Sequence, residues 1–208
     1  MIQEMIEKNI RKSQHCQRNW DLSKTIPEDD IQVLKTAVTE CPSKQNVIFY
    51  TPYFITNRET IEEIHKTTNG FTVSYSQKKY QTNSQTLANL LVVFVENIDY
   101  LEKEFRNEET KKSQITKQVS DKLKSDMYLN LGVASGYLNL TASMLGYRTG
   151  CCQCFDSDKI KNTLKIKSDP LLLMGIGYQD ISRSRREHHK EDFVFPTFSK
   201  KMSVIDIK

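Results

Sequence analysis

The 208 residues have the length of one domain, and a composition 38% hydrophobic with 9% aromatic supplies a core, which excludes a disordered chain. The net charge of +4 is too small for a nucleic-acid machine and predicts a mild preference for anionic ligands. No apolar run reaches the roughly 18 residues of a membrane helix, Met1 to Lys12 lacks the apolar segment of a signal peptide, and five cysteines at no disulfide-scaffold spacing predict a reducing, cytoplasmic setting.

Met1 to Arg11 reads as a short helix, with Met1, Met5 and Ile6 on one side and Glu4 and Lys8 opposite. Thr25-Ile26-Pro27-Glu28 has capping-box spacing and an early proline, and Ile31, Leu34 and Val38 then recur at the helical period. That second helix breaks at the polar loop Cys41-Pro42-Ser43-Lys44-Gln45-Asn46. Val47 to Thr56, rich in β-branched and aromatic residues, is expected to be a strand. Asn57 caps a short helix carrying Ile61 and Ile64 and closed by Asn69-Gly70. Residues 71–86 read as a weak hairpin or irregular loop, and the continuous apolar run Leu90 to Glu96 as a central strand buried on both faces.

Helical signals run from Glu108 to Leu145. Met127, Leu131, Ala134, Leu138, Ala142 and Leu145 share one face, and Gly146 supplies the stop. Asp156 to Leu164 is a short helix capped by Asp156 or Ser157, and Leu171 to Gly177 a second buried strand. Arg183 to Asp192 is charged and expected to be exposed. Phe193 to Lys208 is expected to form an arm with a final strand at Val204-Ile205-Asp206-Ile207. Elements in this order predict an α+β sandwich.

Four segments carry polar chemistry. Arg11-Lys12-Ser13 offers two cations and a hydroxyl, enough to hold a phosphate or simply to solvate a helix end. In Arg183-Ser184-Arg185 an extended backbone would point both arginines at one anion; otherwise it is a solvated charge run. The loop Pro42 to Asn46 suits the polar edge of a planar heterocycle, or is an ordinary connector. Gly150-Cys151-Cys152-Gln153-Cys154-Phe155-Asp156 crowds three thiols together. Tetrahedral zinc takes four ligands, usually as two separated pairs, yet Cys16 and Cys41 have no nearby partner in sequence and the adjacent His188-His189 should point apart. No metal is expected, and the thiols read as small buried hydrophobes.

Taken in order, these pieces resemble the nitroreductase family of FMN enzymes. Arg11-Lys12-Ser13 is similar to its Arg-Arg-Ser motif, Cys41 to Asn46 to its Ala-Pro-Ser-Ser-x-Asn loop, and Leu138 through Leu145-Gly146-Tyr147 to its central helix ending in Leu-Gly. Cys151 to Asp156 stands where the family often has Pro-Ile-Glu-Gly-Phe-Asp, and Met174 to Tyr178 resembles its strand ending in Gly-Tyr, with Arg183-Ser184-Arg185 as the basic pair beyond. The resemblance implies a single domain over 1–208, a three-layer α/β/α sandwich with a central mixed, mainly antiparallel sheet, and a homodimer in which the arm 193–208 reaches the other subunit. It implies FMN as cofactor, NADH or NADPH as co-substrate and a small electron acceptor such as a nitroaromatic or a quinone, with no nucleic-acid or membrane partner. Arg11, Ser13 and Arg185, in the motifs that include Lys12, would bind the FMN phosphate, with Arg183 there too or nearer the ring. Pro42, Ser43 and Asn46, with Lys44 in the same loop, would reach the flavin of the other subunit, and Asn83 its pyrimidine edge. Gln153 and Cys154, following Cys152, would present backbone N–H groups near the reactive nitrogen; no side chain need act as acid or base.

Three departures stand out. His15 sits where many relatives have Arg or Lys, which makes the charge there depend on pH; Lys44 replaces a serine; and Cys154 replaces a glycine. The same fold with a specialised reaction, such as dehalogenation or flavin breakdown, is the alternative. A nucleic-acid-binding protein using Arg183 to Arg186 and His188 to Lys190 is a weaker one, because Glu187, Glu191 and Asp192 interrupt that run.

Overall fold

The computed structural model describes residues 1–69, 72–75, 78–81, 83–97, 117–190 and 192–207, the side chains of 72–75, 78–81 and 117–121 excepted. Helix α1 spans Ile2–Ser13 and α2 spans Glu28–Thr39; strand β1 is Tyr50–Ile55 and α3 is Arg58–Lys66. A hairpin of β2 (Thr72–Tyr75) and β3 (Lys78–Gln81) precedes β4 (Leu90–Glu96). The long helix α4 is Lys117–Met144, followed by β5 (Arg148–Cys152), α5 (Ser157–Leu164) and β6 (Pro170–Gly177). The expected helical signals from Glu108 to Thr116 and the closing Gly70 lie outside the described residues.

Alternation along β4 builds the layers. Leu90, Val92 and Phe94 face one way and join Met174 and Ile176 of β6 against α2 and α4, through Ile31, Leu34, Val38, Leu131, Ala134, Leu138 and Ala142. Leu91, Val93 and Val95 face the other way, with Leu173, against Ile61 and Ile64 of α3 and Ile160 of α5. Burial of both faces explains why this strand is apolar at every position but its last, with no polar alternation. The sheet runs β1-β4-β6-β5, and among the described residues every pairing in it is antiparallel. Caps hold the small helices: Asn57 Oδ1 accepts from the Thr60 N–H at 2.8 Å, and Asp156 Oδ1 from the Lys159 N–H at 3.2 Å. Helix α1 lies outside on α4, tied by Ser143 Oγ donating to the Asn9 carbonyl (3.0 Å) and Asn139 Nδ2 to the Ser13 carbonyl (2.9 Å), and buries none of its own residues.

Four expectations change. Strand β1 starts at Tyr50, not Val47, because Gln45 and Asn46 both take left-handed backbone, with φ of 55° and 57°, and turn the chain. Val204 to Ile207 forms no strand and is exposed; a strand needs a partner's ladder, and no described segment of this chain supplies one. The charged stretch after Arg183 is not uniformly exposed: it folds back, with His188 N–H on the Phe193 carbonyl (2.7 Å) and Phe195 N–H on the Arg186 carbonyl (2.8 Å), which buries His188, Phe193 and Phe195. Residues 193–195 thus belong to the body, and the exposed tail begins at Pro196. His188 and His189 do not point apart either, because this loop is neither helix nor strand; their ring centroids lie 4.5 Å from each other.

Candidate functional site

The last turn of α1 divides its basic residues. Arg11 turns outward to Glu7 (3.6 Å), where both side chains are largely exposed. Lys12 turns inward, and its Nζ donates to the Gly146 carbonyl at 3.1 Å. Gly146, at φ +97°, ends α4 in a conformation that glycine adopts without strain. Two residues later β5 opens with Arg148, whose Nε donates to Gln179 Oε1 (3.1 Å) and whose Nη1 donates to the Lys12 carbonyl (3.4 Å).

Beyond α1 the chain runs alongside β5, with Gln17 N–H on the Thr149 carbonyl at 2.8 Å, which carries His15 and Cys16 past the same strand. The opposite wall is the segment after β6. Asn19 Nδ2 donates to the carbonyls of Ser184 and Glu187, both at 2.8 Å, and fixes the loop that presents Arg185. Close approach here requires glycine: a Cβ on Gly150 would stand 2.5 Å from Gln85 Cβ and 2.8 Å from the Gln17 carbonyl oxygen.

Lys12, His15, Arg148 and Arg185 therefore gather from three parts of the chain. Partial burial depresses the pKa of each, and neighbouring cations push the same way: Arg148 on Lys12, Arg185 and Arg148 on His15, Arg185 on Arg148, and Arg186 and Arg18 on Arg185. Among the described residues none of these four forms a salt bridge. Arg18, whose charge acts on Arg185, has its Nε buried without a hydrogen-bond partner. Like charges held together without a carboxylate form a receptor for an anion, and the fork geometry of guanidinium suits the oxygens of a phosphate.

The other expected residues bond within their own segments or lie apart from this cluster. The Ser13 hydroxyl donates to the Ile10 carbonyl (2.9 Å), and Arg183 Nη1 to the His188 carbonyl (2.7 Å), bracing its own loop. Pro42, Ser43 and Lys44 line a pocket of about 290 Å³ with Asp126, Leu129, Asn130 and Val133 of α4. The Lys44 N–H donates to Asn130 Oδ1 (2.9 Å), its ammonium pairs with Asp126, and Asn46 closes the turn. This loop docks at Asn130 whereas the end of α1 docks at Asn139, and at 1.5 Å per residue the helix between them is about 14 Å long. One chain does not bring these two groups together.

Asn83 is buried, and its Nδ2 donates to the Cys154 carbonyl at 3.1 Å, so it braces the cysteine run. The Cys154 N–H donates to Cys152 Sγ (3.2 Å), while Gln153 and Cys154 are exposed. Burial pushes the Cys152 thiol up to about 11, which keeps it protonated at neutral pH. Among the described residues no three His, Cys, Asp or Glu side chains are placed to hold a metal, and no described helix is long and apolar enough to cross a membrane. Arg148 belongs to none of the sequence motifs, although it is the one charged residue between Leu145 and Phe155.

Comparison with known proteins agrees with this architecture. A search of curated proteins finds no match. Among solved structures, a nitroreductase family protein from Streptococcus pneumoniae TIGR4 is similar with a TM-score of 0.63 and 17% identity, covering 97% of this chain and 100% of that one. An NAD(P)H:FMN oxidoreductase-like protein from Staphylococcus epidermidis ATCC 12228 gives 0.61 and 14%, covering 92% of each chain. A nitroreductase-like protein from Exiguobacterium sibiricum 255-15, in complex with FMN, gives 0.60 and 18%, covering 85% of this chain and 90% of that one. Identities this low speak for the fold alone, but the profile of the nitroreductase family matches residues 11–178, most of the sequence. The chain belongs to the nitroreductase family.

Proposed function

We propose that the protein is an FMN-dependent oxidoreductase that accepts hydride from NADH or NADPH and passes electrons to a small organic acceptor such as a nitroaromatic or a quinone. The observation that carries this reading is the cluster of Lys12, His15, Arg148 and Arg185, gathered without a carboxylate among the described residues. Its donors fit the phosphate of FMN. The flavin, when bound, supplies the hydride and electron transfer, and the protein binds and tunes it. Lys12, Arg148 and Arg185 would neutralise the phosphate, and His15 would add charge when protonated. Asn83, through the Cys154 carbonyl, would hold the run Cys152-Gln153-Cys154 beside the ring.

The loop Pro42 to Asn46 would serve the flavin of a second copy, and the surface of the chain favours such a dimer. Ile2, Met5, Ile6 and Ile10 of α1 and Leu129, Val133 and Tyr137 of α4 are all exposed, as are Phe198, Met202, Val204, Ile205 and Ile207 of the tail. Apolar surface on this scale calls for a covering partner. We place the enzyme in the cytoplasm, with neither nucleic acid nor membrane as a partner.

The test is the visible absorption spectrum of the purified protein, with the released chromophore identified by chromatography. The expected result is yellow protein with about one FMN per chain, bleached by NADH or NADPH and recoloured by a quinone. Protein that stays colourless after incubation with FMN would overturn the flavin reading.

A further inference from the structure

We propose that Arg148 is a phosphate-binding residue of this chain and does the work that the N-terminal motif would assign to Arg11. The inference rests on the flavin reading above and names a residue that neither the motif nor the family match singles out.

Two observations carry it. First, the structure turns Arg11 away: its guanidinium sits with Glu7 on the outer side of α1, 3.6 Å apart, and the Arg11 side chain is 77% exposed. Second, β5 delivers a replacement from another direction. Arg148 is the first residue of that strand, and its backbone is registered against Gly177 of β6. Its side chain is already oriented by Gln179 Oε1 and by the Lys12 carbonyl.

A guanidinium has five N–H donors, and these contacts use two. Lys12, His15 and Arg185 are the electrostatic neighbours of this guanidinium. An arginine fixed in this way loses little freedom when it takes an oxyanion, and the repulsion among Lys12, Arg148 and Arg185 is relieved by the same dianion. A purely structural strut between α1 and the segment after β6 would use the same two contacts, so the test separates binding from bracing.

The full-length apo protein is titrated with FMN and with riboflavin, which carries the same ring and no phosphate. Wild type, Arg148→Gln, Arg148→Lys and Arg11→Gln are compared, and the melting temperature of each is read with and without inorganic phosphate. Arg148→Gln is expected to weaken FMN on the order of ten- to a hundred-fold, the loss typical of a charge-assisted pair, and to leave riboflavin unchanged. Arg148→Lys keeps the charge and loses the fork, so it should fall in between, and it serves if the glutamine variant does not fold. Arg11→Gln should shift FMN affinity less than about three-fold, as for an exposed pair. Equal loss of FMN and riboflavin in the Arg148 variants would make the residue a strut and overturn the proposal, as would unchanged FMN affinity. Wild type that binds neither flavin would instead sink the flavin reading. The phosphate arm then decides: stabilisation of wild type but not of the Arg148 variants upholds the anion site, and equal or no stabilisation ends it.

Discussion

Strand β4 and the end of α1 show two opposite ways of placing side chains. Along β4 every residue from Leu90 to Val95 is buried and meets an apolar neighbour on one face of the sheet or the other. At the end of α1, Lys12, His15, Arg148 and Arg185 are brought together with nothing among the described residues to neutralise them. The first arrangement stabilises the folded chain; the second costs stability unless an anion is present. A protein that maintains the second has a use for it outside folding, and the two regions should therefore respond oppositely to substitution.

The largest effect is expected in the core. Leu138, fully buried on α4 against the sheet, should lose about 2–5 kcal/mol on substitution by alanine, read from denaturant unfolding of the apo protein. Arg185→Gln should leave apo stability unchanged or raise it by up to about 1 kcal/mol, since its charged neighbours Arg186 and Arg18 repel it. Comparable destabilisation by the two substitutions would erase the contrast.

Acid should act through the loop that follows β6. His189 stacks near His188 and His65, its Nδ1 is buried without a hydrogen-bond partner, and burial with neighbouring positive charge lowers its pKa to about 4. The folded state then binds fewer protons than the unfolded chain between about pH 4 and the ordinary histidine value near 6.5. Stability from this group is present above that window and is lost as pH falls through it, by roughly 2 kcal/mol once the roughly 3 kcal/mol of the full shift is discounted for the solvent around a half-buried ring. The difference between wild type and His189→Gln across pH 4–7 isolates the contribution, and parallel profiles would refute it.

A smaller local effect is expected at Asn57, whose side chain accepts from both the N–H and the hydroxyl of Thr60 at the start of α3. Asn57→Ala should cost about 1 kcal/mol without changing flavin affinity. The smallest concerns His15. Its proton is disfavoured by partial burial and by Arg185 and Arg148, and a bound dianion reverses that balance. Affinity for FMN should then rise as pH falls through the raised pKa of the complex, by less than about ten-fold. His15→Gln should lose this component and keep the part due to protonation of the phosphate itself; an unchanged profile would remove His15 from the site.

What the sequence discloses follows how local the determining contacts are. The limits of β4, the apolar face of α4 and the caps at Asn57 and Asp156 rest on neighbouring residues and are legible. Strand β5 is not, because a glycine and two cysteines have no strong strand pattern of their own, and the segment is extended by its ladder with β6. Arg148 is hidden with it. Lys12, His15 and Arg185 can be picked out as members of motifs, but which residue of Arg11-Lys12-Ser13 faces inward depends on how α1 is rotated on α4. The spacing of Glu7 and Arg11, one helical turn, is the local sign of the outward choice. At Val204 to Ile207 the β-branched pattern is present, yet the ladder it needs is not supplied by the described part of this chain.

The most direct test of the central claim is a crystal structure of the protein saturated with FMN. The phosphate is expected within hydrogen-bond distance of Lys12, Arg148 and Arg185 of one subunit, with the Pro42 to Asn46 loop of a second subunit against the flavin ring. A phosphate bound away from Arg148 and Arg185, or a flavin enclosed by a single chain, would contradict it.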